Sequence, residues 1–503
     1  MTRPTIHPTR LEVGAHDGPE THVALSAAVI IDGATTLGVF RRLAARPGGA
    51  FLLESVQGGE VTGRYSFLGF GLHDRLCVAD GRSTVVLDGL TRSTACVDPL
   101  APLEACLARY RVWQSPDLPR FAGGAVGYLS FDAMAAFEGV PLPPGDAPVP
   151  DAFFWLCPDV MIYDHRAHRL VCVTHAPLDG DRDAAWDAGQ ARLREMLEVV
   201  CAPDDDAAVS PWALEPASLD TLDVTPNRSP ADYQAAVATA REAIAAGEVF
   251  QVVVSQRFRV FGSVDPFELY RSLRALNPSP YMFFLRFPDF AVVGASPEVL
   301  VRLEGDELLV RPIAGTRPRG ATDADDRALA AELLADEKEL AEHRMLLDLG
   351  RNDVGRVAVA GSVRVEDPLH VERYAHVMHL VSDVRGRRAP GVDAFDVLRA
   401  CFPAGTVSGA PKIRACELLA TLEPDRRGLY AGAVGYFDFN GNMDTCIAIR
   451  TMVVHADHVD VQAGAGIVFD SVPANEHAEC VSKARSALTA IALTRARRSP
   501  RGA

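Results

Sequence analysis

Glu339 and Glu342 stand three residues apart, and so do Glu476 and Glu479. On a helix that spacing puts both carboxylates of a pair on one face. Two such faces brought together would crowd four carboxylates round one point, an arrangement that repels itself unless a cation sits among them. Oxygen-only ligation by carboxylates suits a hard ion, and Mg²⁺ is the expected one. A Mg²⁺ that keeps open positions can hold an anionic substrate.

Four further stretches carry groups that can do chemistry. Gln462-Ala-Gly-Ala-Gly-Ile-Val-Phe-Asp470 runs into Pro473, with Glu476, Glu479 and Lys483 on one face of the helix that follows. Gly464, Ala465 and Gly466 permit close backbone approach, and free N–H groups there can hold a carboxylate. The plainer reading is a turn followed by a helix with internal ion pairs. Phe402-Pro-Ala-Gly-Thr-Val-Ser-Gly-Ala-Pro-Lys412 offers Thr406 and backbone amides to a small ligand, but lacks the Lys-Ser or Lys-Thr of a nucleotide loop. Arg311-Pro-Ile-Ala-Gly-Thr-Arg-Pro-Arg319 sets three arginines about a turn, either solvated or ordering a loop beside a substrate. His376-Val-Met-His379 brings one imidazole to a site or merely exposes it. Asp336 to Asp353, which holds the first glutamate pair, also reads as an ordinary amphipathic surface helix.

These groups need elements to position them. A chain of 503 residues, 48% hydrophobic, has enough apolar surface for two or more domains or one enlarged unit. A net charge of −16 disfavours nucleic acid and anionic membranes as partners. Ten cysteines without a C-x-x-C fit neither a zinc site nor a disulfide framework and point to a reducing compartment. The N-terminus lacks a signal-peptide pattern and no apolar run reaches membrane-spanning length, so a cytoplasmic enzyme is expected.

Residues 1–20, rich in Pro, His and Gly, are expected to be mobile. Short strands dominate 24–200, with helices near 100–111 and 181–200, and 202–228 reads as a linker. Ser229-Pro230 opens a helix that Gly247 stops, followed by a strand at 249–260 that carries Gln251. Strands are expected at 281–287, 291–294, 299–304 and 308–311, and helices at 325–349, 393–401 and 411–421. Strands at 430–439, 445–455 and 459–463 precede a helix from 474 to 495 and a basic, disordered tail.

Taken together and in this order, the motifs over 225–490 resemble the chorismate-utilizing enzymes, and 24–200 resembles the N-terminal domain of their anthranilate synthase large-subunit branch. The resemblance implies an α/β (α+β) fold: two interwoven domains, 20–205 and 225–492, forming a large β-sandwich flanked by helices, with the site in a cleft between sheets. It implies Mg²⁺ held directly by Glu342 and Glu479, with Glu339 and Glu476 holding metal waters. Tyr430, Arg450, Lys483 and the amides of Gly464, Ala465 and Gly466 would bind chorismate together with Gly315 and Thr316. Glu298 would be the acid for the departing C4 hydroxyl and His379 the partner in pyruvate loss, with Thr406 hydrogen-bonding nearby.

Members of that family which add water carry a Lys base at the position of Gln251, and the aminodeoxychorismate branch carries a Lys nucleophile at that of Ala314. Gln is no base and Ala no nucleophile. Ammonia needs no deprotonation to attack, so the resemblance implies amination at C2 and loss of pyruvate to give anthranilate, the entry to tryptophan biosynthesis. Aminodeoxychorismate synthase is the nearest rival, isochorismate or salicylate synthase the next. A non-catalytic tryptophan-binding scaffold is the rival from another class. Glu54, Ser55, Pro280, Tyr281, Met282, Val434 and Tyr436 match the pocket for feedback tryptophan, Glu54 facing the α-ammonium and the apolar residues walling the indole. No cysteine has the Gly-flanked setting of a glutaminase nucleophile. The expected partners are therefore chorismate, ammonia and a separate glutamine amidotransferase subunit in a hetero-oligomer.

Overall fold

Phe51-Leu52, Val252-Val253-Val254 and Val292-Val293 are continuously apolar, the pattern of strands covered on both faces, and all are buried. The computed structural model describes residues 4–31, 35–55, 63–201, 217–374 and 377–498. Among them the strands form two sheets, one of fourteen strands and one of twelve, over a shared hydrophobic core. Pairing is antiparallel except where His22-Val23 runs parallel to Val112-Trp113.

Each sheet is built from two blocks of strands. In the larger sheet, strands from the first 200 residues end at Gly49–Glu54, which pairs with Tyr281–Arg286 of the later chain. In the smaller, Gly124–Leu129 meets Ala433–Asp438 in the same way. The two halves of the chain are thus interwoven in both layers of the sandwich. Helices Pro230–Ala245, Pro266–Leu276, Lys412–Leu422 and Pro473–Arg498 pack on the larger sheet. Helices Asp323–Ala335 and Glu337–Gly355 pack on the smaller.

Two strand pairs pass from one sheet to the other side by side. Ala291–Ser296 lies in the larger sheet and continues, after Pro297-Glu298, as Val299–Glu304 in the smaller. Met443–Ile447 makes the reverse passage, through Ala448–Arg450, to Thr451–Val454. The Ile447 N–H donates to the Glu298 carbonyl at 3.0 Å, and the Ala295 N–H to the Arg450 carbonyl at 3.2 Å. The bend explains why 445–455, apolar on both sides of Arg450, is not the single strand its pattern predicts: Arg450 takes a left-handed backbone, φ 53°.

The helix expected over 325–349 is two helices. Asp336 leaves helical geometry (ψ 106°), and its carboxylate accepts from the N–H groups of Lys338 and Glu339 at 3.0 and 3.2 Å. A short acid that can bond its own backbone competes with the helix and starts a new one. Residues 4–20 are ordered rather than mobile, with 1–3 outside the described residues: Ile6-His7 joins the larger sheet, and Thr9 and Glu12 form a capping box on the helix Arg10–Ala15. Helices at Thr36–Ala44 and Met134–Glu138 are additions to the two expected there. The expected linker holds a strand at Val224–Pro226, while 202–216 lies outside the described residues. The final helix runs on to Arg498, and 499–503 also lies outside them.

Replacing Asp336 by Ala removes both cap bonds and the 2.7 Å pair with Arg317. Denaturant unfolding is expected to show a loss of about 0.5–2 kcal/mol; an unchanged midpoint would mean that the helix break has another cause.

Candidate functional site

Both glutamate pairs stand in the first two turns of their helices, Glu337–Gly355 and Pro473–Arg498, where the positive end of the helix dipole offsets their repulsion. Two lysines face both pairs. Glu342 is pushed above the ordinary carboxylate range by burial and then by Glu339, while Lys338, Lys483 and the Gln251 amide pull it back. Glu476 is raised by burial, held back by Ser471, pushed up by Glu479, and again eased by Lys483 and Lys338. Glu479 is ion-paired to Lys483 at 2.7 Å and Glu339 to Arg317 at 3.4 Å. This oxygen-only, partly desolvated donor set fits a hard divalent cation. The four carboxylates do not meet at one point, since their oxygens do not all fall within 4.8 Å of one another. A cation gathering them would release Arg317 and Lys483 from their present partners.

Glu298 sits at the crossing between the sheets, 7% exposed. Burial pushes its carboxyl up to about 8, against the pull of the neighbouring Thr406 hydroxyl, Lys483 and the Ile313 N–H. It is a neutral acid at neutral pH, as proton donation to a leaving hydroxyl requires. His379, on the strand Val377–Arg387, donates its Nδ1–H to the Gly315 carbonyl at 3.1 Å, with the Thr316 hydroxyl 3.0 Å from the same nitrogen. That bond fixes the tautomer and leaves Nε2 as the basic nitrogen. Burial lowers the pKa of His379, and nearby Arg450 lowers it further. Gly315 has φ 72°, and a Cβ there would lie 3.1 Å from the Glu339 carboxylate, so the position favours glycine on both counts.

Arg450 donates to the Lys483 carbonyl at 2.5 Å and faces Tyr430 and Glu479. The strand His458–Ile467 brings Gly464, Ala465 and Gly466 opposite Ser255, Val254 and Val253. A Cβ on Gly464 would stand 2.9 Å from the Tyr430 hydroxyl, and one on Gly466 2.6 Å from the Gln251 amide nitrogen. These glycines make room for two of the expected site residues. Gln251 donates to Glu342 at 3.4 Å, and its buried carbonyl oxygen has no hydrogen-bond partner. Beneath the site, buried Arg427 ties the Val407 and Val253 carbonyls to Glu423, fastening the Thr406 loop to the strand of Gln251. Hydrogen bonds and close charge contacts thus link Glu298, His379, Thr406, Gln251, Tyr430, Arg450, Lys483 and both glutamate pairs into one neighbourhood.

A second pocket of about 570 Å³, open to solvent, is lined by Glu54, Ser55, Pro280, Tyr281, Met282, Val434 and Tyr436. It sits where the two halves of the chain join in both sheets. One Glu54 oxygen accepts from Tyr270 at 2.6 Å and Arg274 at 2.9 Å, while the other is buried without a partner. Arg120 and Arg302 pair with Asp444 in the pocket wall.

Other expectations fall differently. The three arginines order their segment rather than stand free: Arg311 pairs with Glu372 and Asp383 on neighbouring strands, while Arg317, paired with Glu332, Asp336 and Glu339, and the exposed Arg319, paired with Asp326, tie the two helices to the smaller sheet. Lys412 is buried against Asp353 at 2.9 Å, which closes off any ligand role for it. His376 lies outside the described residues. Sequence reasoning passed over Lys338, although it adjoins Glu339 and stands four residues before Glu342, the spacing of a helical ion pair. It also passed over Tyr374, whose ring meets His379 edge-on at 5.5 Å.

The model of the chorismate binding enzyme family matches residues 53–489. An anthranilate synthase component 1 from Pseudomonas putida is 46% identical over 479 residues, 94% of this chain and 95% of that protein. The crystal structure of anthranilate synthase component I from Streptococcus pneumoniae superposes with a TM-score of 0.74 at 36% identity, covering 92% of this chain and 99% of that one. The menaquinone-specific isochorismate synthase from Escherichia coli shares the fold, with a TM-score of 0.69 at 18% identity over 96% of this chain and 97% of that one.

Glu298 also carries a stability signature. In the folded chain it keeps its proton to about pH 8, whereas an unfolded Glu releases it near 4.5. Its contribution to stability is therefore complete below 4.5 and lost as pH rises through 8. Relative to the wild type, Glu298→Gln is expected to gain ~2–4 kcal/mol between acid and alkaline pH. Unfolding midpoints of the two chains that stay parallel from about pH 5 to about pH 9 would show that the carboxyl is not so buried.

Proposed function

Since this chain belongs to the chorismate binding enzyme family, we propose that it is component 1 of an anthranilate synthase and forms anthranilate and pyruvate from chorismate and ammonia. The observation that carries the reading is a buried, neutral Glu298 in one cluster of charge contacts with His379, Arg450, Lys483 and two glutamate pairs. Arg450, Lys483, Tyr430 and the Gly464–Gly466 backbone hold the substrate carboxylate, the guanidinium and ammonium supplying charge-assisted bonds. Glu298 gives its proton to the C4 hydroxyl as ammonia attacks C2. Gln251, neutral and a donor and acceptor at once, orients ammonia without competing for a proton. His379 Nε2 then assists proton removal as pyruvate leaves, and Thr406 and Thr316 keep the two groups in place.

Glu342 and Glu479 would hold Mg²⁺, with Glu339 and Glu476 outside them; when bound, the ion would grip the ring carboxylate and make C2 more electrophilic. Ala314, buried on the strand beside Leu380, has no group to serve as the nucleophile of the aminodeoxychorismate branch. Among the described residues no helix is long and apolar enough to cross a membrane, and we place the reaction in the cytoplasm. The name component 1 in the relatives agrees with a second subunit, which we take to be a glutamine amidotransferase supplying ammonia. The second pocket fits L-tryptophan as feedback inhibitor: its apolar wall suits an indole, and the unpartnered Glu54 oxygen suits an α-ammonium.

The purified chain is expected to give Mg²⁺-dependent anthranilate fluorescence from chorismate and ammonium, and none from glutamine. His379→Ala should lower anthranilate formation about 10²–10⁴-fold and accumulate the aminated, pyruvyl-bearing intermediate; full turnover by that variant would remove His379 from the mechanism. Glu54→Gln should weaken tryptophan inhibition at least tenfold while turnover without tryptophan persists, because a neutral amide loses the charge pairing to the ammonium, worth about 1.5–3 kcal/mol. Unchanged inhibition would place the effector elsewhere.

A further inference from the structure

At the far end of the hairpin Thr451–Val454 and His458–Ile467, away from the cleft, three side chains converge. His455, His458 and Asp460 each present a ligand atom within 4.8 Å of the other two, the only such trio of His, Cys, Asp or Glu among the described residues. The hairpin geometry forces the meeting. His455 and His458 close the turn through the His455 N–H to His458 carbonyl bond, their rings stacking at 4.4 Å, and Asp460 lies two residues along the same strand face.

The tautomer of His458 is set by its neighbour. Its Nδ1 stands 2.7 Å from the Asp457 carboxylate, to which it donates. Its Nε2 is therefore the lone-pair nitrogen; it is buried without a hydrogen-bond partner and faces Asp460 Oδ2 at 3.8 Å, too far for a hydrogen bond. Two atoms that share one zinc ion at about 2.0–2.2 Å each stand about 3–4 Å apart. A carboxylate holding the outer nitrogen of an imidazole whose inner nitrogen faces inward is the usual support of a metal-bound histidine. Arg259 donates one bond to each Asp460 oxygen at 2.8 Å, which orients the carboxylate and leaves each oxygen a second lone pair.

We propose that His455, His458 and Asp460 form a transition-metal site, separate from the glutamate cleft, that takes Zn²⁺ through two imidazoles and one carboxylate. Imidazole donors select such ions over Mg²⁺, which prefers oxygen. His455 and Asp460 border a solvent-open cavity of about 370 Å³ that also reaches Tyr430 and Thr451. The ion would pin the closed end of the hairpin, whose other end carries Arg450 and Gly464–Gly466.

The test uses the full chain, stripped with a chelator and titrated with Zn²⁺ in excess Mg²⁺, which keeps the carboxylate cleft occupied. One equivalent of Zn²⁺ is expected to bind and raise the thermal midpoint. The His455→Ala/His458→Ala variant should lose that equivalent and the thermal gain, and Asp457→Asn should weaken binding about 10–100-fold. Zn²⁺ binding that is absent in the wild type, or undiminished in the double variant, overturns the proposal. Co²⁺ gives a reading that needs no variant: intense visible bands of low-coordinate N/O ligation support the site, and the pale spectrum of the hydrated ion overturns it. None of these measurements depends on turnover of chorismate, so they stand whether or not the proposed activity does.

Discussion

Two strand pairs that leave one sheet and enter the other at the same level are the constraint on which the cleft depends. A sheet that stays flat would pair every backbone group and offer only side chains to a ligand. Here the passages at Pro297-Glu298 and Ala448–Arg450 open the ladder while two cross-strand bonds keep it joined. The result is a carboxyl and a guanidinium brought to the sandwich interior on rigid backbone rather than on loops. The left-handed backbone of Arg450 is one local cost of that turn.

Charge in the cleft is arranged about a shortage of cations. Burial and mutual repulsion raise Glu342 and Glu476, and burial raises Glu298, while Lys483 is shared among all three and is ion-paired to Glu479. Removing water strengthens each of these terms. A protein with net charge −16 has no general surplus of positive charge to draw on, so anion binding has to be local. Arg450 and Lys483 are the cations at the cleft, and the positive ends of the two helices offset the glutamates.

Much of this was legible in the residues. The i, i+3 glutamates, the Gly464–Gly466 run and the helix start at Ser229-Pro230 are local patterns, and local patterns survive folding. Gln251 and Ala314 could be weighed because their chemistry is decided by what they lack. What was hidden is what distance decides. The three arginines of 311–319 left two readings open, solvated or ordering a loop, because Glu372, Asp383, Glu332 and Asp326 that bind them lie outside the motif. The bend in 445–455 was invisible because both arms are equally apolar and the turn sits at an arginine rather than a glycine or proline. The break at Asp336 was visible in principle, since an acid followed by Glu-Lys-Glu is a helix start as much as a helix middle. The capping box at Thr9 and Glu12 was likewise available, but a Pro- and Gly-rich composition outweighed it.

The way the halves share both sheets bears on how the chain emerges from the ribosome. When the first 200 residues have been made, Gly49–Glu54 and Gly124–Leu129 each have one neighbour and one bare edge, and both are almost wholly apolar. Their missing partners are translated only at 281–286 and 433–438. Between the synthesis of 152–157 and that of 281–286 the nascent protein therefore carries two sticky strand edges open to other nascent copies, and one of them stays open until 433–438 is made. Slow translation or chaperone shielding over that interval would bear more on the yield of active protein than the final stability of the sandwich does.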